Sequence, residues 1–266
     1  MTLDRIARDG LVLLGCGKMG SAMLRGWLDG GLPASSVSVI DPAPSDWLRG
    51  TGVDLERAPA APAVAIVAVK PQMMGEALPR LRAMGGGPTL LLSVAAGTPI
   101  AAFEEALGPG TPVVRAMPNT PAAVGRGITA IVANEAAGPD GLDMAETLLS
   151  AVGEVVRLDS EDQIDAVTGV SGSGPAYVFH LIETLAAAAE TEGLPADLSM
   201  RLAKATVAGA GALAMEADEA PDQLRVNVTS PNGTTQAGLQ VLMPELGDLI
   251  RRTVAAAAGR SRELRG

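Results

Sequence analysis

Two short stretches of the sequence combine residue types that bind charged ligands. The first is Gly15-Cys16-Gly17-Lys18-Met19-Gly20, a G-x-G-x-x-G pattern between a short apolar run and a run with helical periodicity. In that setting the first glycine allows a tight turn, the second lets a pyrophosphate approach the backbone, and the third lets helix and strand pack closely. The pattern predicts a dinucleotide site. The alternative is a glycine-rich turn of some other βα unit.

The second stretch is Ser230-Pro231-Asn232-Gly233-Thr234-Thr235, near the far end of the chain. Pro231 suits the second position of a tight turn, and Asn232 or Gly233 can adopt a positive φ. Thr234 or Thr235 can then begin a helix, whose first backbone N–H groups have no partner inside the helix. We interpret this turn as an anion site that holds a substrate carboxylate. The alternative for Thr235 is a helix cap and nothing more.

The first stretch needs a sheet to position it, and the apolar runs of the chain's first part predict one. Continuous apolar runs of this kind are typical of parallel strands covered on both faces. Helical patterns between them predict a Rossmann-like doubly wound α/β domain over residues 1–158. The predicted strands are residues 11–14, 37–40, 64–69, 90–94, 112–117 and 128–133.

Asp41 follows the second predicted strand, roughly twenty residues beyond the glycine motif, as a dinucleotide site requires. A carboxylate there hydrogen-bonds the adenosine ribose and repels a 2′-phosphate, which favours NADH over NADPH. The alternative is that Asp41-Pro42 only starts the following loop.

The second stretch lies in a part of the chain, residues 159–266, whose patterns are helical throughout. Ser160-x-x-Gln163 is a capping box, and helices are predicted from Ser173 towards Gly193, over 197–216, from Pro221, and over 244–264. This region is rich in alanine and poor in large aromatics. We therefore predict an all-α C-terminal dimerisation domain, with a core completed by a second subunit.

Composition excludes several classes of protein. A formal net charge of −10 and 2% aromatic residues among 266 argue against a nucleic-acid partner, which requires a basic or stacking surface. The single cysteine, Cys16, permits no internal disulfide, and a lone histidine, His180, excludes a histidine-cluster metal site. Neither a signal peptide nor an apolar run of membrane-spanning length is visible, so we expect a cytoplasmic protein with no membrane partner and no metal.

Six segments together resemble the pyrroline-5-carboxylate reductase family, in the right order over nearly the whole chain. Arg115-Ala116-Met117-Pro118-Asn119-Thr120-Pro121 and Ser171-Gly172-Ser173-Gly174-Pro175-Ala176-Tyr177 are the most diagnostic. The other four are Gly15 to Gly20, Ala68-Val69-Lys70-Pro71, Ala95-Ala96-Gly97 and Ser230 to Thr235.

The resemblance implies reduction of the ring C=N bond of 1-pyrroline-5-carboxylate to L-proline with NADPH or NADH, by a homodimer or a higher homo-oligomer. With Asp41 included, the expected cofactor contacts are Leu14, Gly15, Cys16, Gly17, Lys18, Met19, Gly20, Asp41, Ala68, Val69, Lys70, Pro71, Val94, Ala95, Ala96 and Asn227. The expected substrate contacts are Glu161, Ser230, Gly233, Thr234 and Thr235. We assign Thr235 the catalytic hydrogen bond to the ring nitrogen.

Asp41 and Ala43 stand where many relatives carry hydroxyl residues, so the preference between NADH and NADPH stays open. Two rival functions would require different residues. A β-hydroxyacid dehydrogenase would need a lysine where Val178 follows Gly169-x-x-Gly172-x-Gly174. A non-catalytic NAD(P)-sensing regulator would need the glycine loop but no carboxylate clamp.

Overall fold

The computed structural model describes residues 2–265, and for Thr2 and Leu3 it describes the backbone only. Within these residues the strands are β1 (Leu11–Leu14), β2 (Val37–Ile40), β3 (Val64–Val67), β4 (Leu90–Ser93), β5 (Val113–Met117), β6 (Gly127–Ala133) and β7 (Gly153–Arg157). The helices are α1 (Thr2–Asp9), α2 (Lys18–Asp29), α3 (Asp46–Arg49), α4 (Met74–Arg80), α5 (Ile100–Leu107), α6 (Gly138–Leu149), α7 (Gln163–Val167), α8 (Gly174–Thr191), α9 (Ala196–Glu216), α10 (Pro221–Asn227) and α11 (Thr234–Arg265).

The strands form one seven-stranded sheet in the order β2-β1-β3-β4-β5-β6-β7. Every neighbouring pair is parallel except β5 with β6, which is antiparallel. The carboxyl ends of β1 to β5 therefore meet at one edge of the sheet, where ligands of open α/β folds bind.

Both faces of this sheet are covered, because its central strands place apolar side chains on each side. Leu11 and Leu13 of β1 belong to a core with α1, α2, α3 and α6. Val12 and Leu14 point the other way, into a core with α4, α5 and α7. The alternation of side chains along a strand thus produces two apolar layers, and the predicted doubly wound domain is confirmed.

The sequence missed two elements of this sheet layer. β7 has the sequence Gly-Glu-Val-Val-Arg and lies at the edge of the sheet with mostly exposed side chains, so it lacks an apolar run. α1 is only eight residues long and mostly polar. Such short elements are stabilised by tertiary pairing more than by local pattern.

The chain divides into two compact units, Met1–Gly172 with Ala257–Gly266, and Ser173–Ala256. The predicted ranges 1–158 and 159–266 place the boundary earlier, before α7, and their end residues Met1 and Gly266 lie outside the described residues.

The second unit is all helical, as predicted, and α8 packs against α9. The prediction that the last helix begins at Pro244 is wrong, because α11 is one helix of 32 residues with Pro244 inside it. Proline removes one backbone hydrogen bond from a helix interior, and the length of the helix on either side outweighs that loss. None of the helices within residues 2–265 is long and apolar enough to cross a membrane.

Candidate active site

The glycine loop after β1 has the geometry that the motif predicts. Gly15 has a φ of +90°, and a Cβ there would lie 2.8 Å from the carbonyl oxygen of Ala68. A Cβ on Gly20 would lie 2.4 Å from the carbonyl oxygen of Gly15. Gly17, in contrast, would meet nothing within 4 Å. The loop is therefore closed towards the sheet and open on the outer side, at the start of α2, where a phosphate finds free N–H groups.

Asp41 holds this loop in place. Its Oδ2 accepts a hydrogen bond from the backbone N–H of Cys16 at 2.6 Å, and its Oδ1 accepts one from Ala43 at 2.8 Å. The carboxylate thus ties the end of β2 to the glycine loop, a role that the sequence analysis did not foresee. A carboxylate can accept further bonds from ribose hydroxyls, so the predicted ligand contact stays a prediction.

Cys16 is half-buried inside the loop. Burial and, to a lesser extent, the nearby Asp41 carboxylate raise the pKa of the Cys16 thiol to about 11, although Arg25 acts to lower it. The thiol is therefore protonated at neutral pH and is a poor nucleophile. Lys18 is exposed beside it, and Met19 is half-buried.

The ends of β3 and β4 supply the rest of the predicted cofactor contacts. Ala68 and Val69 are half-buried, and Lys70 and Pro71 are exposed. The next strand is followed by half-buried Val94, buried Ala95 and exposed Ala96. Since Ala95 is 3% exposed, any ligand contact there falls mainly on its backbone.

A small apolar slot of about 70 Å³ lies beside Asp41, at the same edge of the sheet. Its lining includes Leu14 and Val69, which were predicted, and several residues that the sequence analysis missed. The lining residues are Leu14, Ile40, Pro42, Val69, Met73, Glu76, Ala77 and Arg80. Position at the end of β2 was the signal that would have found Ile40 and Pro42, whereas the missed residues in and just before α4 carried no such signal. With the open glycine loop, these residues fit a dinucleotide.

Glu161 belongs to the first unit as well. Its Oε1 accepts hydrogen bonds from the Arg115 guanidinium at 2.6 Å and from the backbone N–H of Ile100 at 3.0 Å. Arg115 lies on β5 and Ile100 begins α5, so one carboxylate oxygen joins three segments of the chain. The sequence analysis named Glu161 but not this pairing.

The second unit contains the Ser230 to Thr235 turn. Gly233 N–H donates to the Ser230 carbonyl at 3.0 Å, and Asn232 has a φ of 58°. α11 begins at Thr234, and both Thr234 and Thr235 are exposed. Within residues 2–265 neither threonine hydroxyl makes a hydrogen bond, while the first-turn N–H groups have no helical partner. The expected turn and helix start are present, with donors facing outwards.

Asn227 ends α10, just before this turn, and its Oδ1 accepts a hydrogen bond from the Gln223 amide at 2.8 Å. Beside the turn runs an apolar groove of about 360 Å³ between α10 and α11. Its lining residues are Arg225, Val226, Thr229, Gln236, Leu239, Gln240, Met243 and Pro244. One wall of the groove is therefore formed by α11, the helix that carries Thr235.

The predicted site residues thus fall into two groups. The first unit brings together the glycine loop, Asp41 and the ends of β3 and β4, and it also holds Glu161. The second unit brings together Asn227, Ser230 and the start of α11. Within residues 2–265 no group of three or more His, Cys, Asp or Glu side chains is placed to hold a metal ion.

Two family models match separate parts of the chain. The family model for pyrroline-5-carboxylate reductase dimerisation matches residues 161–264. The model for NADP oxidoreductase, coenzyme F420-dependent, matches residues 10–97. The chain is 38% identical to the pyrroline-5-carboxylate reductase of Pseudomonas aeruginosa, over 99% of this chain and 98% of that one. It is 37% identical to the enzyme of Methanosarcina acetivorans, over 94% and 96%.

Solved structures agree over the full length. The chain resembles a pyrroline-5-carboxylate reductase from Coxiella burnetii with a TM-score of 0.90 and 33% identity, covering 97% of this chain and 99% of that one. It resembles the Plasmodium falciparum pyrroline carboxylate reductase with NADP bound with a TM-score of 0.83 and 27% identity, over 97% and 98%. With identities of 37–38% across almost the whole sequence, this chain belongs to the pyrroline-5-carboxylate reductase family.

Proposed function

We propose that this chain reduces the ring C=N bond of 1-pyrroline-5-carboxylate to L-proline, the last step of proline biosynthesis, as a homo-oligomer. The observation that carries the proposal is the start of α11, where exposed Thr234 and Thr235 stand at a helix N-terminus with outward-facing donors. Such donors bind anions, and a small carboxylate is one of the anions that fit them.

The substrate carboxylate is held by the backbone N–H groups at Thr234 and Thr235, with the Ser230 and Gly233 turn shaping the approach. A Cβ on Gly233 would lie 3.0 Å from the Ser230 carbonyl oxygen, so a larger residue would push the turn open. Because backbone atoms fix the carboxylate, this end of the substrate is held without flexible side chains.

In the first unit the cofactor would be held by the open side of the glycine loop, by Asp41, and by the residues from Ala68 to Pro71 and Val94 to Ala96. The cofactor contact expected of Asn227 stays a prediction. NADH or NADPH, when bound, supplies the hydride for the ring carbon. The exposed Lys70 at the end of β3 lines the cofactor cleft in this assignment and is not the proton donor.

Thr235 is the catalytic residue in this proposal, because its hydroxyl is free to hydrogen-bond the ring nitrogen. A protonated C=N bond is already strongly electrophilic, so a positioned hydroxyl is sufficient and no strong side-chain acid is required. His180 is exposed on α8 and pairs with Glu183, which leaves it outside this scheme.

Oligomerisation would bury the apolar surface that the second unit exposes. Large apolar side chains along α8, α9 and α11 are exposed, among them Phe179, Leu202 and Val241. A second copy would cover these faces and the groove beside Thr235, so the functional form is a homodimer or a larger assembly of dimers. A cytoplasmic location suits the single cysteine.

The test is oxidation of NADH and of NADPH, followed by absorbance, with 1-pyrroline-5-carboxylate as the substrate and proline identified by mass spectrometry. We expect stoichiometric proline formation with at least one cofactor. A set of β-hydroxyacids with the oxidised cofactors is the control for the rival dehydrogenase. Failure to oxidise either reduced cofactor would refute the proposed function.

A further inference from the structure

Arg115 is a buried charge on an inner strand of the sheet. It lies on β5 between buried Val114 and Ala116, and it is only 3% exposed. Its neighbours across the sheet are Ser93 on β4 and Val132 on β6. Burying a guanidinium is costly unless a partner neutralises it, so an arginine at this position needs a specific reason.

That partner is Glu161, and the two side chains of the pair differ in their burial. The side chain of Arg115 is 3% exposed, whereas that of Glu161 is 26% exposed, so the arginine supports the carboxylate from inside the protein. Within residues 2–265 both hydrogen bonds accepted by Glu161, from Arg115 and Ile100, end on Oε1. Oε2 is therefore left available to a ligand.

The pair lies at the edge of the sheet where ligands of this fold bind. Arg115 is in register with Ser93, whose Oγ accepts a hydrogen bond from the backbone of Ala95 at 3.3 Å. Ile100, which donates to Glu161, begins the helix that follows the Val94 to Ala96 segment. Glu161 is thus fixed to the start of the helix that follows this segment.

The chemistry of the substrate limits what Glu161 can contact. A carboxylate repels the substrate carboxylate, so the polar group left for it is the ring nitrogen, as the N–H of the protonated imine. We infer that Arg115 is a positioning residue, which holds Glu161 by Oε1 so that Oε2 accepts the ring N–H. This inference rests on the proposed function, because it concerns how that substrate is held.

The assignment is compatible with the reduction step. Hydride addition to the ring carbon forms a C–H bond and turns the C=N π pair into a lone pair on nitrogen. The N–H bond that Glu161 accepts is neither made nor broken. The new lone pair stays on the ring nitrogen.

The experiment compares Arg115→Met and Arg115→Lys with a matched control, Arg157→Met. Arg157 lies on β7 in the same unit and pairs with Asp143, but its side chain is 42% exposed. For each variant the measurements are kcat, the KM for 1-pyrroline-5-carboxylate, the KM for NAD(P)H, the melting temperature, and the Kd of L-proline by calorimetry with the oxidised cofactor present.

Arg115→Met should raise the KM for 1-pyrroline-5-carboxylate and the Kd of proline by about 10- to 100-fold, as expected for a charge-assisted hydrogen bond that is no longer aligned. The KM for NAD(P)H should stay near that of the wild type. Arg115→Lys should recover part of the loss, since its ammonium keeps the charge but cannot reproduce the guanidinium geometry. Arg157→Met should change neither constant.

A merely structural arginine would lower the melting temperature and leave the substrate KM and proline Kd unchanged, and that outcome overturns the inference. If Arg115→Met does not fold, Arg115→Lys decides, because it keeps a positive charge in the sheet. In that case, substrate and proline constants within about twofold of the wild type overturn the inference. A wild-type enzyme inactive with both cofactors would instead defeat the proposed function.

Discussion

The two compact units solve the problem of burying apolar surface in different ways. The first covers both faces of its sheet with its own helices, so large residues such as Phe103 and Leu92 are fully buried. In the second unit the buried apolar side chains among the described residues are Ala186 and Ala203. Its larger apolar residues lie on the surface, so it depends on a partner for its core.

The same contrast applies to the site residues. In the first unit Asp41 and Glu161 are already engaged by hydrogen bonds from their own unit. In the second unit Thr234 and Thr235 are exposed, with hydroxyls that bond to nothing within residues 2–265. The first unit is therefore a preformed scaffold, and the second presents groups that acquire partners on binding and assembly.

The largest effect is expected for a charge placed on the second unit's apolar surface. Val241 on α11 is 74% exposed, and Val124 in the first unit is 76% exposed. Val241→Glu should weaken association on the order of 1,000-fold, because assembly would bury an unpaired carboxylate. Val124→Glu, equally exposed, should leave association unchanged. Sedimentation over a concentration series measures the association of both variants. Identical profiles would contradict the proposal that only the second unit depends on a partner.

The two phenylalanines of the chain, Phe103 and Phe179, give a second test. Phe103 is fully buried on α5, and Phe179 on α8 is 58% exposed. Phe103→Ala should lower the free energy of unfolding by about 3–5 kcal/mol through the cavity it leaves. Phe179→Ala should instead raise the dissociation constant of the assembly. Equal losses of stability independent of protein concentration would mean that α8 has no partner.

Removing the Thr235 hydroxyl should lower kcat by about 100-fold, the loss typical of one catalytic hydrogen-bond donor. Thr253 on the same helix is the matched control, since its hydroxyl donates to the Leu249 carbonyl at 2.9 Å and has no assigned role. Steady-state kinetics of Thr235→Ala, Thr235→Ser and Thr253→Ala would measure this loss of kcat. Near-normal turnover in Thr235→Ala would reduce the residue to a helix cap.

The smallest effect concerns the scaffold side of the site. Asp41→Ala should raise the ratio of kcat/KM for NADPH over NADH by about tenfold, because a negative charge beside the 2′-phosphate is lost. Asp46→Ala removes an exposed carboxylate from the neighbouring α3 and controls for net charge. An unchanged ratio in Asp41→Ala would restrict Asp41 to holding Cys16 and Ala43.

Local patterns explain why so much of the fold was predictable. The glycine loop, the strands from β1 to β6 and the positive φ of Asn232 depend on residues close together in sequence. The capping box shows the limit of this logic. Gln163 accepts the backbone N–H of Ser160 at 3.3 Å, but the Ser160 hydroxyl accepts from Asp162 and not from Gln163.

By itself, the sequence determined the doubly wound sheet, the dinucleotide loop and the turn before α11, since periodicity, glycine and turn chemistry act over a few residues. Only the tertiary structure decided the partners of Asp41 and the pairing of Arg115 with Glu161, which are 46 residues apart. It also decided that α11 continues through Pro244. A buried charge selects its partner by proximity in space, and no local pattern encodes that proximity.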